Sequence, residues 1–223
     1  AQHVTDAGSR VYCSSYNGLF SVNTENGAIR VLSKADGFSN TGISAMGYQP
    51  SSRLLMLAYR NGTFDFAYLN EQSEHDQIET WDILNETQGL PADKAVRRIV
   101  FRQNLAYVAT GFGVLVVDPQ LRQVEETYRY IGPNGMQVAV SDLAFSEDSL
   151  FVMTPLGVLA TAMRDDVNRQ YFANWKSVNS PGSISGIAFF SGAIHASVSG
   201  KGIFRYEKGS WKLVYTSNNP SLH

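Results

Sequence analysis

The sequence predicts an all-β fold of β-propeller blades, because a glycine, a strand and a set of turn residues all recur along it. The recurrent glycine closes five hairpins, at Gly18, Gly62, Gly113, Gly157 and Gly202. Successive glycines are separated by 44, 51, 44 and 45 residues, and apolar stretches precede and follow them. A self-similar unit of this length is typical of repeat architectures.

The first strand of each unit gives a second, independent measure of the period. Four of these strands open at Ile43, Val96, Val140 and Ile184, which are 53, 44 and 44 residues apart. The second and third strands flank the recurrent glycine, and the fourth is an alternating run such as 29–32, 78–83 or 211–215. Four short antiparallel strands, rich in β-branched and aromatic residues, predict one propeller blade per unit.

Five such units fit the chain. We expect blades at about 1–34, 42–84, 95–130, 139–178 and 183–217, in one propeller spanning 1–223. Asn-Gly pairs at 17–18, 26–27, 61–62 and 134–135 and Asp-Gly at 36–37 predict turns with positive φ. No window has the apolar spacing of a long helix, and segments 70–77 and 164–170 are expected to be loops between third and fourth strands.

A single four-stranded sheet of about 45 residues is too small to be stable alone, so neighbouring sheets must cover its faces. A β-sandwich or barrel does not predict the same hairpin at a nearly constant period. Five blades are compatible with a closed ring or with part of a larger one. Because the sequence begins at Ala1 without Met, we expect it to be part of a longer chain.

Composition argues against several classes of function. The net charge is −2 and no Lys/Arg run occurs, which argues against a nucleic-acid partner. Cys13 is the only cysteine, no apolar run is long enough to span a membrane, and the four histidines have no metal-ligand spacing. No catalytic or cofactor motif occurs, so we expect no cofactor, no metal and no enzyme. The acidic pairs Asp165–Asp166 and Glu74 with Asp76 suggest solvated loops, with calcium binding as the alternative.

The hairpins between second and third strands are expected to emerge on one face of a propeller, where loops are free to vary and bind ligands. Aromatic and cationic side chains there suit a carbohydrate or an anionic partner. The candidate ligand-binding residues are Tyr16, Asn17, Arg60, Phe112 and Lys201 at these tips, and Arg97 in a first strand. Since Arg97 and Arg98 are consecutive, we expect one to point into the channel and the other between blades.

Several segments resemble a known family. The run 32–40 followed by Ile43-Ser44 is similar to the repeats of two-component-regulator propellers. The order of motifs resembles the N-terminal propeller of PorZ-type proteins of the type IX secretion system over about 10–175. The segments that carry this resemblance are 8–13, 17–20, 58–62, 105–107 with 111–114, 127–135 and 173–175.

The resemblance implies a non-enzymatic protein at the cell surface or in the periplasm of a Gram-negative bacterium of the Bacteroidetes group. It implies as partners an anionic lipopolysaccharide or glycan, and a sortase or another secretion-system protein to which the lipopolysaccharide is delivered. Family members are longer, with further domains. The alternative is the extracellular glycan-sensing propeller of a hybrid two-component regulator. A propeller hydrolase or lyase would need paired carboxylates, for which Asp6, Asp65 and Asp142 are the only candidates.

Overall fold

Short antiparallel strands make up most of the computed structural model, which describes residues 2–15, 18–91 and 93–216. They form five four-stranded sheets arranged as a five-bladed β-propeller, with almost no helix. Within each sheet the strands are hydrogen-bonded in chain order. The predicted fold class is therefore confirmed, and each predicted blade contains one observed sheet.

The strands are numbered along the chain. Blade 1 contains β1 (His3–Asp6), β2 (Arg10–Ser14), β3 (Leu19–Asn23) and β4 (Ile29–Leu32). Blade 2 contains β5 (Ile43–Gln49), β6 (Leu54–Tyr59), β7 (Phe64–Leu69) and β8 (His75–Trp81). Blade 3 contains β9 (Val96–Arg102), β10 (Leu105–Thr110), β11 (Gly113–Asp118) and β12 (Gln123–Tyr128).

Blade 4 contains β13 (Asp142–Phe145), β14 (Ser149–Thr154), β15 (Gly157–Ala162) and β16 (Lys176–Val178). Blade 5 contains β17 (Ile184–Phe190), β18 (Ala193–Val198), β19 (Gly202–Glu207) and β20 (Ser210–Tyr215). A single helical turn, α1 (Ile83–Glu86), follows blade 2, and short 3₁₀ turns lie at Lys34–Asp36, Pro133–Gly135 and Phe172–Asn174.

One predicted loop is wrong in part. Segment 70–77 was expected to be irregular, but β8 begins at His75, so only Asn70–Glu74 form the connection. The turn is closed locally, because Asn70 accepts hydrogen bonds from the backbone of Gln72 and Glu74 through its side chain. The residues His75–Gln77 are polar because one face of this outermost strand is solvated, and their polarity suggested a loop. The second predicted loop, 164–170, contains no strand.

The recurrent glycine has the predicted conformation in four hairpins. Gly62, Gly113, Gly157 and Gly202 have positive φ, whereas Gly18 does not. The requirement is strictest at Gly113, where a Cβ atom would lie 2.1 Å from the carbonyl oxygen of Tyr128. The turn glycine is therefore needed in most blades because its φ is positive, and in blade 3 also because two strands approach closely.

The chain divides into two compact units, Ala1–Thr110 with Leu115–Glu126, and Gly111–Val114 with Thr127–His223. In unit 1, blades 1 and 2 enclose an apolar core that includes Tyr12, Leu32, Phe38, Leu55 and Leu57. In unit 2, blades 4 and 5 enclose a second core around Phe151, Val158, Ile187 and Ile194. Both cores form because alternate residues of each strand face the neighbouring sheet.

A buried carboxylate fixes the connection between blades 1 and 2. Asp65 on β7 is 0% exposed. It accepts hydrogen bonds from the Tyr59 hydroxyl at 2.6 Å, the Thr80 hydroxyl at 2.8 Å and the Ser39 backbone amide at 2.8 Å. Burial, followed by the nearby Asp65 charge, raises the pKa of the Tyr59 phenol, so this hydroxyl remains a donor. Asp65 therefore joins the inter-blade connection to three strands of blade 2.

We predict that Asp65→Ala lowers the free energy of unfolding by about 3–5 kcal/mol, because it leaves three donors without an acceptor. Urea denaturation followed by circular dichroism measures this loss. Asp76→Ala is the control, since Asp76 is exposed on the adjacent strand β8 and should change the stability by about 0.5 kcal/mol or less. Equal effects of the two substitutions would contradict the role given to Asp65.

A second prediction concerns the close approach of β5 and β9. A Cβ atom at Gly47 would lie 2.8 Å from Ile99 Cγ2 and 2.9 Å from the Ile99 carbonyl oxygen. Gly47→Ala should therefore destabilise the protein by about 1–3 kcal/mol through overpacking. Gly186→Ala on β17 is the matched control, because its Cβ would meet only Asp142 Oδ2, at 3.5 Å. Thermal unfolding of both variants should show a clear decrease in melting temperature for Gly47→Ala alone.

Candidate functional site

The predicted tip residues divide between the two compact units. Arg60, in the β6–β7 hairpin, is exposed, and its backbone amide donates to the Gly42 carbonyl at 3.2 Å. Lys201, in the β18–β19 hairpin, is exposed and donates from Nζ to the Pro181 carbonyl at 2.5 Å. Arg60 belongs to unit 1 and Lys201 to unit 2. Tyr16 and Asn17 lie outside the described residues, so their assignment stays a prediction.

The expectation for Phe112 as an accessible tip residue is wrong. Its side chain is 0% exposed, although it lies in the short turn between β10 and β11. Residues on both sides of it, Thr110 and Val114, are equally buried. Burying an aromatic ring of this size stabilises the fold by about 1.5–3 kcal/mol, which outweighs the tendency of a turn residue to face water. Phe112 therefore serves packing and offers no ring to a ligand.

A β-bulge recurs near the start of the first strand of several blades. In β5, Ile43 pairs with Tyr59 and Ala45 with Ala58, so Ser44 is the extra residue. Ser185 is the extra residue in β17, where Ile184 pairs with Val198 and Gly186 with Ser197. In β9, Val96 pairs with Thr110 and Arg98 with Ala109, so the extra residue is Arg97. Such bulges redirect a side chain without ending the strand.

Serine occupies the equivalent position in three blades, and its side chain forms a hydrogen bond to the second strand. The hydroxyls of Ser44, Ser141 and Ser185 donate to the carbonyls of Ala58, Met153 and Ser197, respectively, on the second strand. Blade 3 has Arg97 at this position, and its side chain is exposed. The exposed arginine of blade 3 thus departs from the serine pattern of blades 2, 4 and 5.

The bulge also corrects the expected orientation of the two arginines. Consecutive residues of a regular strand point to opposite faces, which predicted that one of the pair would lie between blades. Both Arg97 and Arg98 are exposed. Because Arg97 is the extra residue of the bulge, the alternation is interrupted at this point, and neither guanidinium is enclosed between blades.

His3 is a further candidate site residue, and no sequence motif indicates it. It is half-buried at the start of β1, and its pKa is lowered, first by burial and then by the charges of Arg98 and Arg60. His3, Arg60 and Arg98 come from blades 1, 2 and 3 of unit 1, and the charges of the two arginines act on His3. We define the basic cluster as His3, Arg60, Arg97 and Arg98. His3 corresponds to Arg98 in strand register, since His3 pairs with Ser14 and Arg98 with Ala109, and no sequence motif indicates this relation.

The chemistry of the basic cluster suits an anion. Guanidinium groups bind carboxylate and phosphate through paired hydrogen bonds, and Arg97 is exposed where such a group can reach it. Within 2–15, 18–91 and 93–216, no group of three or more His, Cys, Asp or Glu side chains could hold a metal. The described helices include none long and apolar enough to cross a membrane.

Comparison with known families gives one match that covers most of the chain. The family described as the type IX secretion system PorZ N-terminal β-propeller domain matches residues 11–176. No curated protein matches the sequence. Among solved structures, PorZ of Porphyromonas gingivalis, described as an essential bacterial surface component of the type IX secretion system, is similar with a TM-score of 0.75 and 22% identity. That match covers 96% of this chain and 28% of the PorZ chain.

Two further similar structures are of the extracellular domain of BT4673 from B. thetaiotaomicron. One, assigned to a one-component system, has a TM-score of 0.64 and 13% identity and covers 90% of this chain and 26% of that chain. The other, assigned to a hybrid two-component system, has a TM-score of 0.67 and 16% identity and covers 95% and 28%. At these identities the likenesses show the fold. The chain spans under a third of each of these proteins.

The electrostatic coupling in the basic cluster gives a pH prediction. The pKa of His3 in the folded state lies below its value in the unfolded chain, so protonation favours unfolding. His3 therefore reduces stability as the pH falls from about 6.5 through the folded-state pKa. Arg98→Gln should raise the pKa of His3 and weaken this loss, because it removes a nearby positive charge.

The His3 ring proton followed by NMR through a pH titration measures the effect. Arg102→Gln, at the opposite end of β9, is the control and should leave the pKa of His3 unchanged. An unchanged His3 pKa in Arg98→Gln would show that these groups are too far apart to act as one cluster.

Proposed function

The chain belongs to the family of PorZ N-terminal β-propeller domains, and on this basis we propose that it is a non-enzymatic binding domain of a type IX secretion protein. Its ligand is an anionic lipopolysaccharide or glycan, and its place of action is the bacterial cell surface. The basic cluster of unit 1 is the binding surface. Other proteins of the secretion system, including a sortase, receive the bound ligand from it.

The observation that carries this proposal is the arginine at the bulge of β9. In blades 2, 4 and 5 a serine at this position donates a hydrogen bond to the second strand, so arginine is not required by the fold. Arg98 follows it, and Arg60 and His3 add positive or protonatable groups from two other blades. Phosphate and carboxylate groups of an anionic glycan would be held by several of these charges at once.

The family match supports one of the two binding functions that the sequence suggested over the other. A glycan-sensing domain of a hybrid two-component regulator has the same fold, as the likeness to BT4673 indicates. That likeness rests on 16% identity, whereas the PorZ domain family matches residues 11–176 of this chain. The secretion function is therefore the one that the observations favour.

We predict that Arg97→Ser weakens binding of the purified protein to anionic lipopolysaccharide about tenfold or more, while the fold is retained. The substitution supplies the serine that occupies the bulges of blades 2 and 5, so the bulge keeps a residue suited to it. A lost hydrogen bond to a charged group costs about 1.5–3 kcal/mol, which corresponds to the expected change. Biolayer interferometry on immobilised lipopolysaccharide, before and after enzymatic removal of its phosphates, measures the affinity.

The control is Arg102→Ser, which removes an arginine from the other end of the same strand and should bind like the unaltered protein. Raising the salt concentration should weaken binding of the unaltered protein more than that of Arg97→Ser, because fewer charge contacts remain in the variant. If Arg97→Ser and the unaltered protein bind equally well, the basic cluster is not the binding surface.

A further inference from the structure

A cavity of about 530 Å³ lies in unit 2 between blades 4 and 5. Its lining consists of side chains of β14, β15 and β16, four residues of the β15–β16 connection and, from blade 5, Tyr206 of β19. It lies at the end of blade 4 away from the Pro155–Leu156 hairpin and does not include any residue of the basic cluster. Its volume is within the range of about 300–1,000 Å³ that is usual for small-molecule sites.

The cavity follows from a short outer strand and two small residues. β16 is three residues long and pairs only with Val158, Leu159 and Ala160, so β15 continues to Ala162 beyond it. Across the sheet, Phe151, Ala160 and Lys176 are successive partners and therefore face the same side, toward blade 5. Ala160 and Ala162 offer only methyl groups on this face, which leaves the space unfilled.

An aromatic wall bounds the cavity. Phe151 and Tyr206 meet edge-to-face with ring centroids 5.7 Å apart, and Trp211 supports Tyr206 at 5.0 Å. Phe151 is buried, whereas Tyr206 is half-buried, and its hydroxyl has no hydrogen-bond partner among the described residues. Tyr206 thus presents an apolar ring together with an unused polar group, a combination suited to a ligand that has both kinds of surface.

Positive charge and polar groups lie at the rim. Lys176 is exposed and forms no ion pair with any described residue, whereas Arg164 is paired with Asp166 at 3.3 Å. A second carboxylate, Asp148, contacts the lining through Ser149 and accepts hydrogen bonds from the hydroxyls of Ser146 and Ser149. Lys176 is therefore the cation available to an anionic group inside the cavity.

We propose that the blade 4–5 cavity binds a single acidic sugar residue of the uronic acid class. The pyranose ring packs on Tyr206 over the methyl groups of Ala160 and Ala162, and the carboxylate pairs with Lys176. A neutral sugar would leave the ammonium group of Lys176 without an anionic partner. A purely apolar ligand would leave both the Lys176 ammonium group and the Tyr206 hydroxyl unpaired. This site is separate from the basic cluster, so it stands whether or not that cluster binds lipopolysaccharide.

The test is titration of the full chain with D-glucuronate, D-galacturonate and D-mannuronate in turn, with D-glucose as the neutral comparison. Calorimetry measures affinity, and the indole NMR signal of Trp211 reports occupancy because this ring contacts Tyr206. We expect at least one uronate to bind ten times or more tightly than glucose and to shift the Trp211 signal. Failure of all three uronates to bind would overturn the proposal.

Two variants locate the binding. Lys176→Gln should reduce uronate affinity about tenfold or more and leave the weak affinity for glucose unchanged, since it removes only the charge. Ala160→Leu should abolish binding by filling the cavity. Lys212→Gln is the control, because Lys212 is exposed on β20 and pairs with Glu207. Uronate binding that survives both Lys176→Gln and Ala160→Leu in folded protein would overturn the site. The Arg97→Ser variant should bind uronate normally.

Discussion

The structure depends on the need to cover both faces of every small sheet. Strand β6 shows this need most directly, because every residue of Leu54–Tyr59 is buried. Neither face of such a strand can meet water, so stability comes from stacking between blades and not from any one sheet. The buried carboxylate of Asp65 is tolerated within this apolar setting because three donors satisfy it.

The features that repeat in the sequence were predictable because the local backbone conformation requires them. A glycine at Gly62, Gly157 or Gly202 supplies a positive φ that other residues adopt only with strain, so its spacing revealed the blades. Features set by tertiary packing were not predictable. Phe112 is in a turn and is nevertheless buried, and the polar start of β8 at His75 resembles a loop when only composition is considered.

The candidate site was predictable only in part, for the same reason. Arg60 and Arg97 stood out as charged residues at expected positions, whereas His3 had no motif and no charged neighbour in sequence. Its relation to Arg98 depends on strand register across three blades. The blade 4–5 cavity left even less trace, since a three-residue strand and two alanines are ordinary in sequence and become informative only when paired.

In a repeated scaffold, a departure from the repeat is more informative than the chemistry of a residue alone. The hydrogen bond from the serine hydroxyl to the second strand in blades 2, 4 and 5 contributes about 0.5–1.5 kcal/mol, and blade 3 lacks that bond. Blade 4 similarly has an outer strand that pairs with only part of β15. In both places regular hydrogen bonding is reduced, and in both an exposed cation, Arg97 or Lys176, stands where the regular pattern is interrupted. At such positions the regular residue or strand would make the fold more stable. Selection for binding explains why the less stable arrangement is kept.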